Sequence, residues 1–254
     1  MIKLHRSLIG MGHGIAIGAI LMATNMATAS ELSLTASDGF ELKADYYAAK
    51  ASSKKAVVLL HQCNMDRSMY KELGESFKRK GIHVLSLDLR GFGGSVDAQT
   101  SINFLQLLPP EEHYQAEVFG LWAGDVALAY DTLKERVGDN AKVGVLGASC
   151  GGEAGQMLAA QRSVQALSFF SSNVLNPNDS NSVKGYQDGL ASVPTLFIAA
   201  ENDQIYAGTK KASELNTAKN STFFSYEGGE HGAPLLESQI KLSSKIIKWF
   251  AKNL

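Results

Sequence analysis

The sequence lacks a strong excess of charge of either sign. It contains 24 Lys and Arg residues against 25 Asp and Glu residues, for a formal net charge of −1 at pH 7. No basic stripe or block of like charge interrupts this balance. A clustered basic surface is the usual electrostatic requirement for nucleic-acid binding. The composition therefore predicts no nucleic-acid partner.

Cysteine is also scarce, and the chain shows no internal repeat and no low-complexity run. The two cysteines, Cys63 and Cys150, belong to no Cys/His cluster with the spacing of metal ligands. We therefore expect neither a metal site nor an organic cofactor. The chain has no repeats and no evident linker, and residues 30–254 have a length typical of one domain.

Acidic residues are missing from residues 1–29, which instead begin with Lys3 and Arg6. An apolar run from Leu8 to Ala23 follows, and residues 27–29 form an A-x-A cleavage site. This layout predicts a secretory signal peptide over residues 1–29 and an exported protein, periplasmic or secreted. The alternative is an uncleaved membrane anchor, but the apolar run is short and interrupted by glycines, which disfavours a stable span. We therefore expect the segment to be cleaved and the remaining chain to have no stable membrane span.

Strand-like and helix-like segments alternate through residues 30–254. Strands are predicted at 31–36, 40–47, 56–60, 83–89, 142–148, 164–171, 194–200 and 222–226, and helices at 66–80, 115–137, 150–161, 207–217 and 235–252. The turn at 37–39 makes a hairpin of the first two strands. The pattern predicts an α/β domain: a mostly parallel sheet with helices on both faces and an antiparallel hairpin at its start. Ligands of such sheets bind beyond the carboxyl ends of the strands.

One motif in this pattern has the chemistry of a nucleophile. The apolar strand Lys142–Leu146 runs into Gly147-Ala148-Ser149-Cys150-Gly151, which matches G-x-S-x-G between a strand and a helix. Glycines on both sides allow strand and helix to cross closely, and the serine hydroxyl stands clear of the sheet. The alternatives are a glycine-rich turn with an incidental serine, and Cys150 as the nucleophile. Ser149 fits the symmetric glycine frame better.

A serine hydroxyl needs a base, and only four histidines follow residue 29. His231 lies in a glycine-rich loop between the last strand and the last helix. Of the others, His61 and His83 adjoin strands and are expected to be structural. His113 lies in a long loop, where solvent exposure is expected and contact with substrate is the alternative. His231 is therefore the predicted base.

The acid that orients the base should follow a strand between the serine and the histidine. Thr195–Ala200 is such a strand, and Glu201-Asn202-Asp203 follows it. Asp203 is the predicted acid, with Glu201 as the alternative. The order Ser149, Asp203, His231 is the order of an α/β-hydrolase triad rather than of chymotrypsin-like or subtilisin-like proteases.

With these residues in place, the chain resembles the α/β-hydrolase superfamily, in particular its dienelactone-hydrolase-like and small serine esterase branch. Residues 88–95 look like the D-x-R-G-x-G-x-S segment common in that family, and Ser149-x-Gly151-Gly152 is similar to dienelactone hydrolases and to prolyl-oligopeptidase-type peptidases. A serine stands where true dienelactone hydrolases have cysteine, so their particular substrate is not implied.

The resemblance implies an α/β-hydrolase fold without a large cap domain over residues 30–254. It also implies hydrolysis of a small-molecule carboxylic ester through an acyl-enzyme on Ser149. A serine peptidase or amidase, and a non-catalytic binding protein of the same fold, stay open as alternatives.

The resemblance further implies an oxyanion hole made by the backbone N–H groups of Cys63 and Cys150. The family usually has glycine after the histidine at this place, whereas this chain has Gln62, a side chain beside the pocket. If both cysteines carry oxyanion donors, they lie close together. A Cys63–Cys150 disulfide is then expected, with two free thiols as the alternative.

A long loop over residues 96–114 is rich in apolar side chains before Pro109-Pro110. These residues line an acyl pocket or act as a lid in one interpretation. In the other they cover the core beneath the loop.

Overall fold

The structure, a computed structural model, describes residues 29–96 and 112–254, with side chains from residue 118 onwards in the second range. The signal peptide predicted for residues 1–29 therefore lies almost wholly outside the described residues, as does most of the loop 96–114. The side chain of His113 is outside them too.

The described residues form one eight-stranded sheet. Its strands are β1 (Ser30–Thr35), β2 (Glu41–Tyr47), β3 (Lys55–Leu60), β4 (His83–Leu87), β5 (Lys142–Ala148), β6 (Ala166–Phe170), β7 (Thr195–Ala200) and β8 (Thr222–Tyr226). Their order across the sheet is β1-β2-β4-β3-β5-β6-β7-β8. β1 and β2 pair antiparallel, and β2 pairs antiparallel with β4. All other neighbours pair in parallel, so the predicted sheet and hairpin are confirmed.

Helices cover both faces of this sheet, as the alternating pattern predicted. They are α1 (Lys71–Arg79), α2 (Glu112–Val137), α3 (Cys150–Ala159), α4 (Ser180–Gly189), α5 (Tyr206–Leu215), α6 (Ala233–Ser238) and α7 (Leu242–Asn253). Side chains of α2, α3, α4 and α5 enter the core on one face. Those of α1, α6 and α7 enter the core on the other. The central strands are buried on both faces because helices lie on each side, which is why they read as continuous apolar runs.

The end of the chain differs from the sequence prediction. The sequence predicts a single helix over 235–252, because Leu236, Ile240, Ile247 and Phe250 recur at helical spacing. The structure instead has α6 and α7 separated by Gln239–Lys241, and Ile240 is 94% exposed. Gln239 has φ −97° and ψ 81°, outside the helical region, so the apolar spacing continues across a break in the backbone. Leu121, one of the apolar residues of the helix predicted over 115–137, is likewise exposed.

Two further segments are refined by the structure. The helix predicted over 66–80 begins with a 3-10 turn at Arg67–Tyr70, where Asp66 caps the turn by accepting a hydrogen bond from the Ser68 amide. The polar segment 173–192 contains α4, capped in the same way by Asp179. No helix within the two described ranges is both long and apolar enough to cross a membrane.

Candidate active site

Ser149 occupies a strained turn between β5 and α3. Its backbone has φ 51° and ψ −122°, in a region that non-glycine residues rarely adopt. Strain of this kind persists only where the surrounding structure enforces it, and it is concentrated at functional sites. The Ser149 amide donates to the Phe170 carbonyl at 2.9 Å, which ties the turn to the end of β6.

The glycines around Ser149 are required by close contacts. A Cβ atom at Gly147 would lie 2.1 Å from the Gly151 carbonyl oxygen, and one at Gly151 would lie 2.2 Å from the Leu60 carbonyl oxygen. A Cβ atom at Gly152 would lie 2.0 Å from Ser172 Oγ. The G-x-S-x-G pattern thus reflects strand β5 and helix α3 crossing at backbone contact, which projects residue 149 beyond the sheet.

His231 and Asp203 form a hydrogen-bonded pair at the carboxyl ends of β8 and β7. His231 Nδ1 lies 2.7 Å from Asp203 Oδ2. An ionised carboxylate only accepts hydrogen bonds, so Nδ1 is the donor and Nε2 is left to act as a base. The Asp203 side chain is 3% exposed, whereas that of His231 is 34% exposed. The imidazole is thus anchored on its buried side and open on the other.

The alternative acid is occupied elsewhere, since Glu201 Oε1 accepts a hydrogen bond from Ser225 Oγ at 2.9 Å. His83 bonds Tyr46 Oη and the Ala49 amide through Nδ1, which is a structural role. Within the described residues, no group of three His, Cys, Asp or Glu side chains is placed to hold a metal ion.

Ser149 and His231 line the same cavity, whose volume is about 630 Å³. Among the described residues, the Ser149 hydroxyl makes no hydrogen bond, to His231 or to any other group. Catalytic hydrogen bonds are often long in ligand-free structures and tighten when substrate binds. The sheet topology therefore brings the three predicted residues to one edge of the sheet, with the Asp203–His231 pair formed and Ser149 facing the shared cavity.

The two backbone amides predicted to bind an oxyanion have no hydrogen-bond acceptor among the described residues. Cys150 is the first residue of α3, so its N–H has no acceptor within the helix. In the described part of the chain, the amide of Cys63 also donates to no acceptor. Cys63 follows the carboxyl end of β3 and Cys150 follows that of β5, and these two strands are parallel neighbours.

The expected disulfide between Cys63 and Cys150 is present, with the two Cα atoms 5.8 Å apart. It joins residues 87 positions apart in sequence and links the loop after β3 directly to the turn at Ser149. Because disulfide-bonded sulfur is no thiolate, Cys150 in this form is not a nucleophile.

His61 holds the loop after β3 from inside the protein. Its ring is fully buried; Nδ1 bonds the Gln62 carbonyl oxygen at 2.8 Å and Nε2 accepts from the Leu89 amide at 3.0 Å. Burial lowers the pKa of His61, so the neutral ring required by these two bonds is favoured. The structural role expected for His61 therefore agrees with its contacts.

Gln62 has a role that the sequence did not indicate. Its side chain does not project freely beside the pocket but is 5% exposed and turned toward the loop that carries His231. Gln62 Oε1 accepts a hydrogen bond from the Ala233 amide at 2.7 Å, and Nε2 donates to Asn64 Oδ1. Gly232 has φ 67° and ψ −123°, a conformation that favours glycine, and a Cβ atom there would also lie 1.8 Å from Gln62 Oε1. Gln62 thus links the loop after β3 to the residue two positions beyond His231.

We expect Gln62→Ala to lower kcat/KM for an ester by about 10- to 100-fold, because a displacement of the histidine loop of about 1 Å costs that much in rate. The free energy of unfolding should fall by about 1–3 kcal/mol, since the Ala233 amide loses its acceptor in a buried place. Steady-state kinetics and urea unfolding would measure the two effects.

Two further variants sharpen this test. Gln62→Glu keeps an acceptor for Ala233 and should retain more activity than Gln62→Ala. Gln161→Ala is the matched control, because Gln161 is an exposed glutamine that donates to the carbonyl oxygens of Met157 on α3 and Ala123 on α2. Full activity in Gln62→Ala would show that the histidine loop does not depend on this contact.

Buried ion pairs fix the loop after β4, which also reaches this end of the sheet. Asp88 accepts hydrogen bonds from the Arg67 amide and side chain and from the Gly94 amide. Arg90 forms a bidentate ion pair with Asp125, with both nitrogen–oxygen distances at 2.8 Å. Both groups serve the loop rather than the cavity, since neither Asp88 nor Arg90 lines it.

Comparison with known proteins places the chain in a family. Residues 51–187, more than half of the 254, match the family described as serine aminopeptidase, S33. This segment contains Ser149 and ends before Asp203. Comparison with curated protein sequences gives no significant match.

Solved structures of similar fold cover almost the whole chain. A thermostable carboxyl esterase from Bacillus coagulans aligns with a TM-score of 0.68 and 14% identity, over 89% of this chain and 99% of that one. An esterase from Pyrococcus furiosus aligns at 0.65 and 15%, over 88% and 92%. A dienelactone hydrolase from Anabaena variabilis aligns at 0.61 and 19%, over 89% and 96%. At these identities the likeness concerns the fold, and together with the family match it shows that the chain belongs to the serine aminopeptidase S33 family of the α/β-hydrolase superfamily.

Proposed function

We propose that this protein is a serine hydrolase that cleaves carboxylic esters of small molecules through an acyl-enzyme on Ser149. The observation that carries the proposal is the Asp203–His231 hydrogen bond of 2.7 Å, opening onto the cavity that Ser149 lines. An imidazole oriented by a buried carboxylate beside a serine on a strained turn is the arrangement that activates a serine hydroxyl.

In the proposed mechanism, Ser149 Oγ attacks the ester carbonyl carbon while His231 Nε2 takes the hydroxyl proton. The amides of Cys63 and Cys150 hold the negative charge that develops on the carbonyl oxygen, and Asp203 stabilises the imidazolium. His231 then gives its proton to the departing alkoxide. Water repeats the sequence on the acyl-enzyme, which releases the acid and restores Ser149.

The fold of the aligned structures favours esters, since two are esterases, while the family description names an aminopeptidase. Amide hydrolysis is therefore the second candidate. It uses the same three side chains, but His231 must protonate a more basic nitrogen before that group leaves. The two candidates differ in the bond cleaved and not in the site.

A fluorophosphonate probe should label the protein once, with the adduct on Ser149 by peptide mass spectrometry. In a panel of p-nitrophenyl esters of increasing chain length beside aminoacyl p-nitroanilides, we expect turnover of the esters to be faster by at least about 100-fold. Faster cleavage of the anilides would select the peptidase alternative. No labelling and no turnover would identify a non-catalytic member of the fold.

We also propose that the protein acts outside the cytoplasm, after removal of residues 1–29. The Cys63–Cys150 disulfide supports this, because disulfides persist in oxidising compartments and are rare in reducing ones. The A-x-A sequence before Ser30 supports it independently.

A further inference from the structure

The cavity beside Ser149 has a polar wall that the proposed mechanism does not use. Apart from Ser149 and His231, its lining includes the carboxylate of Glu153 and the carboxamides of Asn173, Asn178 and Gln204. These side chains come from the first turn of α3, the loop after β6 and the loop before α5. They thus converge on one space from three separate segments.

Glu153 is the half-buried member of this wall. It lies in the first turn of α3, four residues after Ser149, and lines the same cavity as Ser149. Within the described residues its carboxylate forms no hydrogen bond and no ion pair. Burial without a partner raises the pKa of Glu153. A ligand that donates hydrogen bonds would relieve this desolvation.

The three carboxamides belong to exposed residues and have no hydrogen-bond partner within the described residues. The Asn173 and Asn178 backbones form hydrogen bonds, but in the described part of the chain neither side-chain amide does, and nor does that of Gln204. A carboxamide offers two donors and one accepting oxygen. This wall of the cavity therefore presents both donors and acceptors to a ligand.

The charge of the cavity excludes one class of ligand. No Lys or Arg lines it among the described residues, and residues 97–111, outside them, contain neither residue type. An anionic substrate group would therefore meet the Glu153 carboxylate without a compensating cation. A cationic group would pair with Glu153, but an ammonium accepts no hydrogen bond and would leave the carboxamide donors unused.

We propose that this wall is a subsite for a neutral, polyhydroxylated portion of the substrate, so that the esters cleaved are those of polyols, sugars or sugar acids. Hydroxyl groups donate to Glu153 and both donate to and accept from the three carboxamides, which uses every group of the wall. The proposal rests on the proposed esterase activity for its chemistry, but the binding of the polyol can be measured without catalysis.

Kinetics with matched substrates test the proposal. Glycerol monobutyrate and propyl butyrate differ by two hydroxyl groups on the alcohol side, and ethyl gluconate and ethyl hexanoate differ by five on the acyl side. We expect kcat/KM to favour the hydroxylated member of at least one pair by about tenfold, as one or two net hydrogen bonds provide. Glu153→Ala should reduce that ratio about fivefold, and Glu153→Gln should reduce it less.

Glu135→Gln is the matched control, because Glu135 is exposed on α2 and does not line the cavity. It should leave both ratios unchanged. Absence of a preference in both pairs, or a preference that Glu153→Ala does not reduce, would overturn the proposal. So would a preference for butyrylcholine that Glu153→Gln abolishes, since that outcome marks a cation site.

A binding measurement separates this proposal from the proposed function. The probes 1-O-butylglycerol and n-butyl gluconamide have no ester bond. We expect at least one of them to bind more tightly than butyl propyl ether, and we expect Glu153→Ala to reduce that preference. Such binding without ester turnover would support the polyol subsite and overturn the proposed esterase activity. Turnover of simple esters without polyol binding would do the reverse.

Discussion

Replacing Ser149 by alanine should lower kcat for a p-nitrophenyl ester by about 10⁴- to 10⁶-fold, which is the range seen when a serine nucleophile is removed. The loss is large because no acyl-enzyme can form without the Ser149 hydroxyl. The candidate oxyanion amides and the cavity can still bind substrate. KM should therefore change far less than kcat. The fluorophosphonate adduct should disappear with the activity.

The fold should survive this change. Alanine and serine share the steric cost of φ 51° at this position, and the Ser149 hydroxyl has no hydrogen bond to lose within the described residues. Thermal unfolding of Ser149→Ala should therefore stay within a few degrees of the unchanged protein. Ser163→Ala, on an exposed serine after α3, provides a matched control with full activity expected. Retention of more than about 1% of kcat in Ser149→Ala would place the nucleophile elsewhere.

The parts of this site that the sequence predicted are those set by local structure. The turn at Ser149 was readable because strand, glycines and helix follow one another within about ten residues, and each glycine is fixed by a backbone contact of that crossing. The strand–helix alternation likewise predicted the parallel sheet. Once parallel strands are assumed, Asp203 and His231 must lie at the same edge as Ser149.

Contacts between distant segments were not readable in this way. Gln62 and Ala233 are 171 residues apart, and no local pattern connects them. The only signal was that Gln62 stands where the family has glycine, which marked the position without showing where the side chain would turn. The break before α7 was missed for the opposite reason, because apolar spacing at Ile240 continued the helical period although the backbone did not.

The second large effect concerns stability. A Cys63→Ser/Cys150→Ser variant should lose about 4–5 kcal/mol of unfolding free energy in the loop-entropy account, because the disulfide closes a loop of 87 residues in the unfolded chain. For a domain of this size, that loss corresponds to a fall in Tm of about 10–15 °C. Differential scanning calorimetry with and without reductant would measure it.

Activity should fall as well at temperatures where the variant stays folded. The disulfide fixes the segments that carry the two candidate oxyanion amides, and losing the correct placement of one such donor costs about 10²- to 10³-fold in kcat. The other contacts of the loop, through His61 and Gln62, remain in the variant, so we expect a smaller loss of about tenfold. KM for the ester should change little, because the oxyanion forms after binding.

Reduction of the unchanged protein should reproduce both effects, with a mass increase of 2 Da as the bridge opens, and reductant should not alter the double serine variant. If reduction opens the bridge and lowers Tm while kcat is unchanged, the disulfide serves stability alone and the amides are held by the loop contacts. If kcat falls while Tm is unchanged, the bridge acts by placing the candidate oxyanion amides and not through the unfolded state. The combined loss is the expected result, because one covalent link closes a loop of 87 residues and joins the two segments that carry the candidate oxyanion amides.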